Sequence, residues 1–156
     1  MIKVLFICHG NICRSPMAEF IFKDMVRKAG LEDQFYIASA ATSTEEIGNS
    51  VYPPARRKLA EHGLSCSGKH AVQCTKRDYD KYDYILVAEQ RNIRNLKWII
   101  GSDPEGKVKR ILDYSNNPRD ISDPWYTGDF ERAYQDIFEG CEAFLQFLCK
   151  HDERCY

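Results

Sequence analysis

The chain has 156 residues, about one typical domain, and its 44% hydrophobic content suits a soluble globular protein with a real core. A formal net charge of -1 gives no global electrostatic pull toward nucleic acid or an anionic membrane, so neither is expected as a partner. The apolar run Ile2 to Ile7 is too short for a secretion signal or a membrane span, and seven cysteines are an odd number, so reduced thiols in the cytoplasm are expected rather than a disulfide framework.

Strand and helix patterns alternate along the chain. Val4 to Ile7 is a continuous apolar run of strand type. After Cys8, the residues Ala18, Ile21, Phe22, Met25 and Ala29 recur at steps of three and four, which predicts an amphipathic helix. Pro16 suits its first turn and Gly30 its stop. Phe35 to Ala40 predicts a second strand, Tyr52 to His62 a short helix ending at Gly63, and Tyr82 to Ala88 a third strand. Gln90 to Ile100 predicts a helix ending at Gly101, and Val108 to Tyr114 a fourth strand. In the last helix Phe130, Tyr134, Ile137, Cys141, Phe144 and Leu148 form one continuous apolar face, on which Cys141 reads as core. This alternation predicts an α/β fold, a single domain over residues 1–156 with a parallel sheet and helices on both faces. Ligands in such sheets bind at the carboxyl ends of strands, near a topological switch point.

That rule draws attention to "VLFICHGNICRSPMAE", where Cys8 closes the first strand six residues before Arg14. The residues between them, His9, Gly10, Asn11, Ile12 and Cys13, form a loop short enough to aim successive backbone N–H groups at one centre. Such a nest, backed by a helix N-terminus, binds anions. Gly10 permits backbone geometry that other residues resist, and Asn11 tolerates a left-handed conformation. Arg14 would present a planar fork to two phosphoryl oxygens. The same positive surroundings favour a thiolate, which makes Cys8 the expected nucleophile, with Ser15 placed to donate a hydrogen bond to the sulfur. Expulsion of an alkoxide needs a proton donor. Asp103-Pro104 precedes the fourth strand, the wrong end of a parallel sheet, whereas Asp123-Pro124 follows it, on the rim shared with Cys8. Asp123 is therefore the expected general acid, with Trp125 and Tyr126 as walls for an aromatic ring.

Together, "FICHGNICRSPMAE" and "DPWYTGDFE" resemble the low-molecular-weight protein tyrosine phosphatases, over essentially the whole chain. The resemblance implies a three-layer, four-stranded parallel sheet of flavodoxin-like type and a two-step mechanism with neither metal nor cofactor. Cys8 would attack the phosphoryl group of a phosphotyrosine protein, and Arg14 would clamp it. Asp123 would protonate the leaving phenolate and then act as base for the water that releases inorganic phosphate from the cysteinyl-phosphate. Asn11 and Ser15 match loop-shaping and thiolate-supporting positions. Cys13 matches a second loop cysteine that can pair reversibly with the nucleophile; its other reading is a small buried hydrophobe. A monomer or weak dimer is expected.

Departures from the family pattern are visible. Lys69 stands at a usual histidine position and Val72 at an arginine position, so either His70 shifts into the network around Asn11 or that network differs. Ser39-Ala40 replaces Ser-Gly, with Ser39 expected to keep a supporting hydrogen bond, and Glu45 stands where animal members often have a pocket-wall tryptophan. The pattern looks bacterial. Among rivals, a thioredoxin-coupled arsenate reductase would need two further cysteines beside the third strand, and "YILVAEQRNI" has none. A protein arginine phosphatase typically carries threonine where this chain has Ile12. A non-catalytic binding module should have lost Cys8 or Asp123. A metal site at Cys66, His70 and Cys74 would need a helix that Gly68 interrupts.

Overall fold

The structure is a computed structural model of the chain and describes residues 1–155. Four parallel strands lie in the order β2-β1-β3-β4: β1 Ile2–Cys8, β2 Phe35–Ala41, β3 Tyr84–Val87 and β4 Val108–Arg110. Strand β1 pairs with β2 from Ile2 opposite Phe35 to Cys8 opposite Ala41, and with β3 from Val4 opposite Tyr84 to Ile7 opposite Val87. The helices are α1 Arg14–Lys28, α2 Pro53–Glu61, α3 Lys76–Lys81, α4 Gln90–Ile100, α5 Pro124–Thr127 and α6 Phe130–His151. None is long and apolar enough to cross a membrane among the described residues.

Alternation along β1 explains why it reads as an unbroken apolar run. Val4, Phe6 and Cys8 face a core built with α1 and α6, while Leu5 and Ile7 face a second core with Ile85, Val87 and the α4 residues Leu96 and Ile100. On the first side Phe22 is the hub, its ring 5.8 Å from Phe6, 5.5 Å from Phe35 and 5.4 Å from Phe144. The stripe of α6 is buried from Tyr134 to Leu148, with Phe130 only partly covered, and Cys141 sits fully inside it, where burial pushes its thiol up and keeps it neutral. Gly140 stands inside that unbroken helix for a reason: a Cβ there would come within 2.5 Å of the Ile111 side chain and 2.8 Å of its carbonyl oxygen.

Two local differences from the sequence reading have plain causes. The fourth strand is shorter than Val108 to Tyr114, because Ile111–Tyr114 turns into a 3-10 helix whose start Asp113 ties down by accepting from the Arg110 N–H at 2.7 Å. Helix α3 is a single short element with too few residues for a periodic stripe; its Thr75/Asp78 capping box closes with the Thr75 N–H donating to Asp78 at 2.8 Å.

Candidate active site

Strand β1 has neighbours on both sides whose connections run in opposite directions, so its carboxyl end opens at the switch point of the sheet. Cys8 is the last residue of that strand and α1 begins at Arg14, leaving His9 to Cys13 to turn between them. The turn is made by Asn11, which has φ 59° and is the one described residue other than glycine in the left-handed region. Gly10 is not left-handed, and a Cβ there would make an ordinary contact with Glu46 Cγ at 3.4 Å.

The loop converges on sulfur. Cys8 Sγ accepts from the Asn11 N–H at 3.3 Å and the Ser15 N–H at 3.4 Å, and lies 3.0 Å from Ser15 Oγ. The direction of that last contact follows from the next shell. The Val72 N–H donates to Asn11 Oδ1 at 3.2 Å, which orients the amide so that Asn11 Nδ2 donates to Ser15 Oγ at 2.7 Å. With its oxygen already accepting, Ser15 turns its own proton toward Cys8. His70 is exposed and joins none of these bonds; the backbone of Val72 does that work, so the network differs from one built on a histidine.

Arg14 is 2% exposed. One guanidinium nitrogen donates to Glu89 and to the Ile121 carbonyl oxygen at 2.7 Å, and the other lies 3.4 Å from Asp123 Oδ2. Burial works against its charge, but Cys8, Asp123 and Glu89 outweigh it and push its pKa above the usual arginine value. Glu89 follows β3 and Ile121 is tied to that strand's end by its N–H to Ala88 at 2.9 Å, so the carboxyl end of one strand braces the cation through both contacts. Asp123 caps α5, accepting from the Trp125 N–H at 3.0 Å through one oxygen and facing Arg14 with the other.

The resulting cavity, about 60 Å³, is lined by Cys8, His9, Gly10, Ile12, Cys13, Arg14, Glu46, Asp123 and Trp125. Its size and its ring of donors suit a phosphoryl group. Ile12 clusters with Cys13 and Ala71, with Tyr52 and Phe130 packed against that cluster, and its carbonyl accepts from the Tyr52 N–H at 2.9 Å. Trp125 stands at the mouth with its ring 4.6 Å from that of Tyr52. Cys13 is buried, and burial, Cys8 and Asp123 all push its thiol up, which keeps it protonated.

Several expected residues fall elsewhere. Tyr126 is 81% exposed and does not line the cavity. Glu45 points outward and pairs with His9 at 2.9 Å; its neighbour Glu46 is the carboxylate on the wall. Ser39 is buried in β2, but its hydroxyl donates to Glu19 at 2.6 Å rather than to the loop. Lys69 donates to the Ser39 carbonyl at 2.8 Å and faces Glu19 at 3.8 Å; burial depresses its pKa despite that partner. Asp103 closes the turn before β4, accepting from Tyr79 Oη at 2.6 Å and from two backbone N–H groups. Cys66 and Cys74 are buried and His70 is exposed, and the three form no metal-holding group among the described residues. Glu46, Tyr52 and Glu89 escaped the sequence reading. Glu89 left a signal: a carboxylate directly after the third strand stands on the same rim as Asp123.

Comparison with known proteins agrees with this geometry. The family model described as low molecular weight phosphotyrosine protein phosphatase matches residues 3–154. YfkJ from Bacillus subtilis, a low molecular weight protein-tyrosine-phosphatase, is 41% identical over 155 residues, spanning 98% of this chain and 99% of its own. Its crystal structure superposes with a TM-score of 0.93 over 98% of both chains. The human low molecular weight phosphotyrosine protein phosphatase is 39% identical over 156 residues, 92% of this chain and 94% of its own. A crystal structure of DARP, a Drosophila arginine phosphatase, is similar at 32% identity and a TM-score of 0.87, covering 97% of this chain and all of that one. From the loop at Cys8 to the helix that closes the fold, the chain belongs to the low molecular weight phosphotyrosine protein phosphatase family.

Proposed function

We propose that the protein hydrolyses phosphotyrosine in proteins through a cysteinyl-phosphate. The observation that carries this reading is the floor of the cavity: one sulfur receiving two backbone N–H groups and a serine hydroxyl, with Arg14 and Asp123 on the wall. The phosphoryl oxygens occupy the loop beside the N-terminus of α1, and the free edge of Arg14 holds two of them. Cys8 Sγ attacks phosphorus as the S–P bond forms and the P–O bond to the phenol breaks. Asp123 delivers its proton to the departing oxygen. In the second step Asp123, now a carboxylate, takes a proton from water as that water attacks phosphorus. The S–P bond breaks, inorganic phosphate leaves, and the Ser15 proton supports the sulfur as it regains its charge. Every role in this sequence is supplied by a side chain already in place, so the reaction needs no metal or cofactor.

Ring stacking at the mouth favours an aromatic leaving group. Trp125 is half exposed and leans on Tyr52, which leaves an aromatic surface beside a cavity of about 60 Å³. The arginine phosphatase among the structural relatives makes phosphoarginine the competing substrate. Ile12 presents no hydroxyl to orient water for a phosphoramidate-derived step, which supports phosphotyrosine. The deciding experiment compares p-nitrophenyl phosphate, phosphotyrosine peptide and phosphoarginine in the presence of EDTA. Wild type is expected to cleave the first two well and the last poorly. Cys8→Ser should be inactive, and Asp123→Ala should lose about 10²–10⁴-fold in kcat. Undiminished activity in Cys8→Ser would sink the mechanism, and a preference for phosphoarginine would reassign the substrate.

A further inference from the structure

Six of the seven cysteines are buried; Cys149 alone is exposed, near the end of α6. Its sulfur lies 2.7 Å from that of Cys155, which is 3% exposed in the segment just beyond the helix. This separation is well inside a non-bonded contact, so the two side chains already point at one another. The segment between them is held rather than loose. The Cys155 N–H donates to the Asp152 carbonyl at 3.1 Å, and Arg154 pairs with Asp152 at 2.7 Å and with Asp83 at 3.1 Å. Asp83 precedes β3 and accepts from the Lys3 N–H at the start of β1, which places the thiol pair at the amino end of the sheet, away from Cys8.

We propose that Cys149 and Cys155 are a thiol–disulfide exchange site, separate from the phosphatase centre, that takes low-molecular-weight disulfides and closes into an intramolecular bond. Cys149, exposed, loses its proton to solvent and attacks one sulfur of the incoming disulfide. A mixed disulfide forms, the incoming S–S bond breaks, and the first small thiolate leaves and is protonated. Cys155 then attacks the Cys149 sulfur, forming the Cys149–Cys155 bond and expelling the second small thiolate, which takes up the proton that Cys155 gave up. Two protein thiols are oxidised by two electrons, and one disulfide is reduced to two thiols.

Burial explains the order of these steps. The Cys155 thiol is pushed up to about 12, first by burial and then by its bond to Cys149 and that sulfur's charge. Capping Cys149 removes the last two of these, so Cys155 becomes a better nucleophile only after its partner has reacted. The product ties the segment that carries Arg154 against Asp83 and Asp152, closing the amino end of the sheet.

Peptide mapping tests the site. The reduced protein is incubated with excess oxidised glutathione and quenched in acid. Free thiols are alkylated, and the protein is digested with trypsin without reduction. The expected result is a peptide of residues 133–150 joined to 155–156, carrying no glutathione, with alkylation of Cys149 and Cys155 lost together. In Cys155→Ser, Cys149 should instead retain glutathione. If wild-type Cys149 keeps a stable glutathione adduct, or if both thiols remain alkylatable after Cys8 has been oxidised, the proposal is overturned. The wild-type map alone suffices should the variant not fold.

Discussion

At the carboxyl end of the sheet, Arg14 is 2% exposed and is approached by Glu89, Asp123 and a carbonyl oxygen; at the amino end, Arg154 is 44% exposed and binds Asp83 and Asp152. Both are arginines between two carboxylates, yet they do different things. Arg154 satisfies its partners near solvent and ties the segment after α6 to Asp83, which is worth little and costs little. Arg14 is stripped of water and lines the cavity beside Cys8 and Asp123. Burying a charge this way is a poor route to stability, and the left-handed Asn11 beside it adds strain. Where the fold accepts such costs together, around one sulfur, function is the better account than packing.

Substitutions separate the two arginines, the largest change being expected at Arg14. Arg14→Lys keeps the charge but loses the planar fork. It should lower kcat/KM on the order of 10³-fold while denaturant midpoints move little, because a buried cation still faces Glu89 and Asp123. An equal loss of activity and stability would mean that Arg14 is chiefly structural. Phe144→Ala probes the core between the two ends. The ring is fully buried against Phe22, Tyr84 and Tyr114, so its removal should cost about 3–5 kcal/mol in urea denaturation. Turnover per folded molecule should be retained, since the cavity lies beyond this cluster.

The smallest effect belongs to the amino end. The hydrogen bond from Arg154 holds the Asp152 carboxyl down at about 2, below the ~3.9 of an unfolded aspartate, against the opposing effect of burial. A depressed acid stabilises the fold above its unfolded pKa and loses that contribution as pH falls through the folded one. Asp152→Asn should therefore cost no more than about 1 kcal/mol at pH 7, because solvent screens the half-exposed Arg154, and the gap between the two proteins should narrow from pH 5 toward pH 2. A gap that stays constant with pH would show that the side chain acts through shape rather than charge.

Much of the molecule was legible because local chemistry and global fold agree. Strands β1 to β3 and helices α1, α4 and α6 leave apolar runs or stripes that need no distant partner to be recognised. Cys8 and Arg14 sit in one short loop, and Asp123 follows from knowing which end of a parallel sheet binds ligands. What escaped depends on contacts across the chain. Glu89 meets Arg14 from 75 residues away, and the Val72 N–H that orients Asn11 is 61 residues distant. Glu45 and Glu46 are adjacent, yet Glu45 turns to His9 while Glu46 lines the cavity, a division that only the folded loops reveal. Tyr126 and Ser39 carry the right chemistry in the right motif, yet one turns to solvent and the other to Glu19. Strand β4 ended early because Asp113 captures the Arg110 backbone, a choice made by one side chain rather than by a pattern.

The most direct test of the cysteine mechanism is to trap its covalent intermediate. Wild type and Asp123→Ala would be mixed with a phosphorylated substrate, quenched in acid within the first turnover, digested and mapped by mass spectrometry. The mechanism predicts phosphate on Cys8, with nearly one equivalent of phenol released in the first turnover if hydrolysis of the intermediate limits the rate. Turnover with Cys8 unmodified at every quench time, and phosphate on another residue or on none, would contradict it.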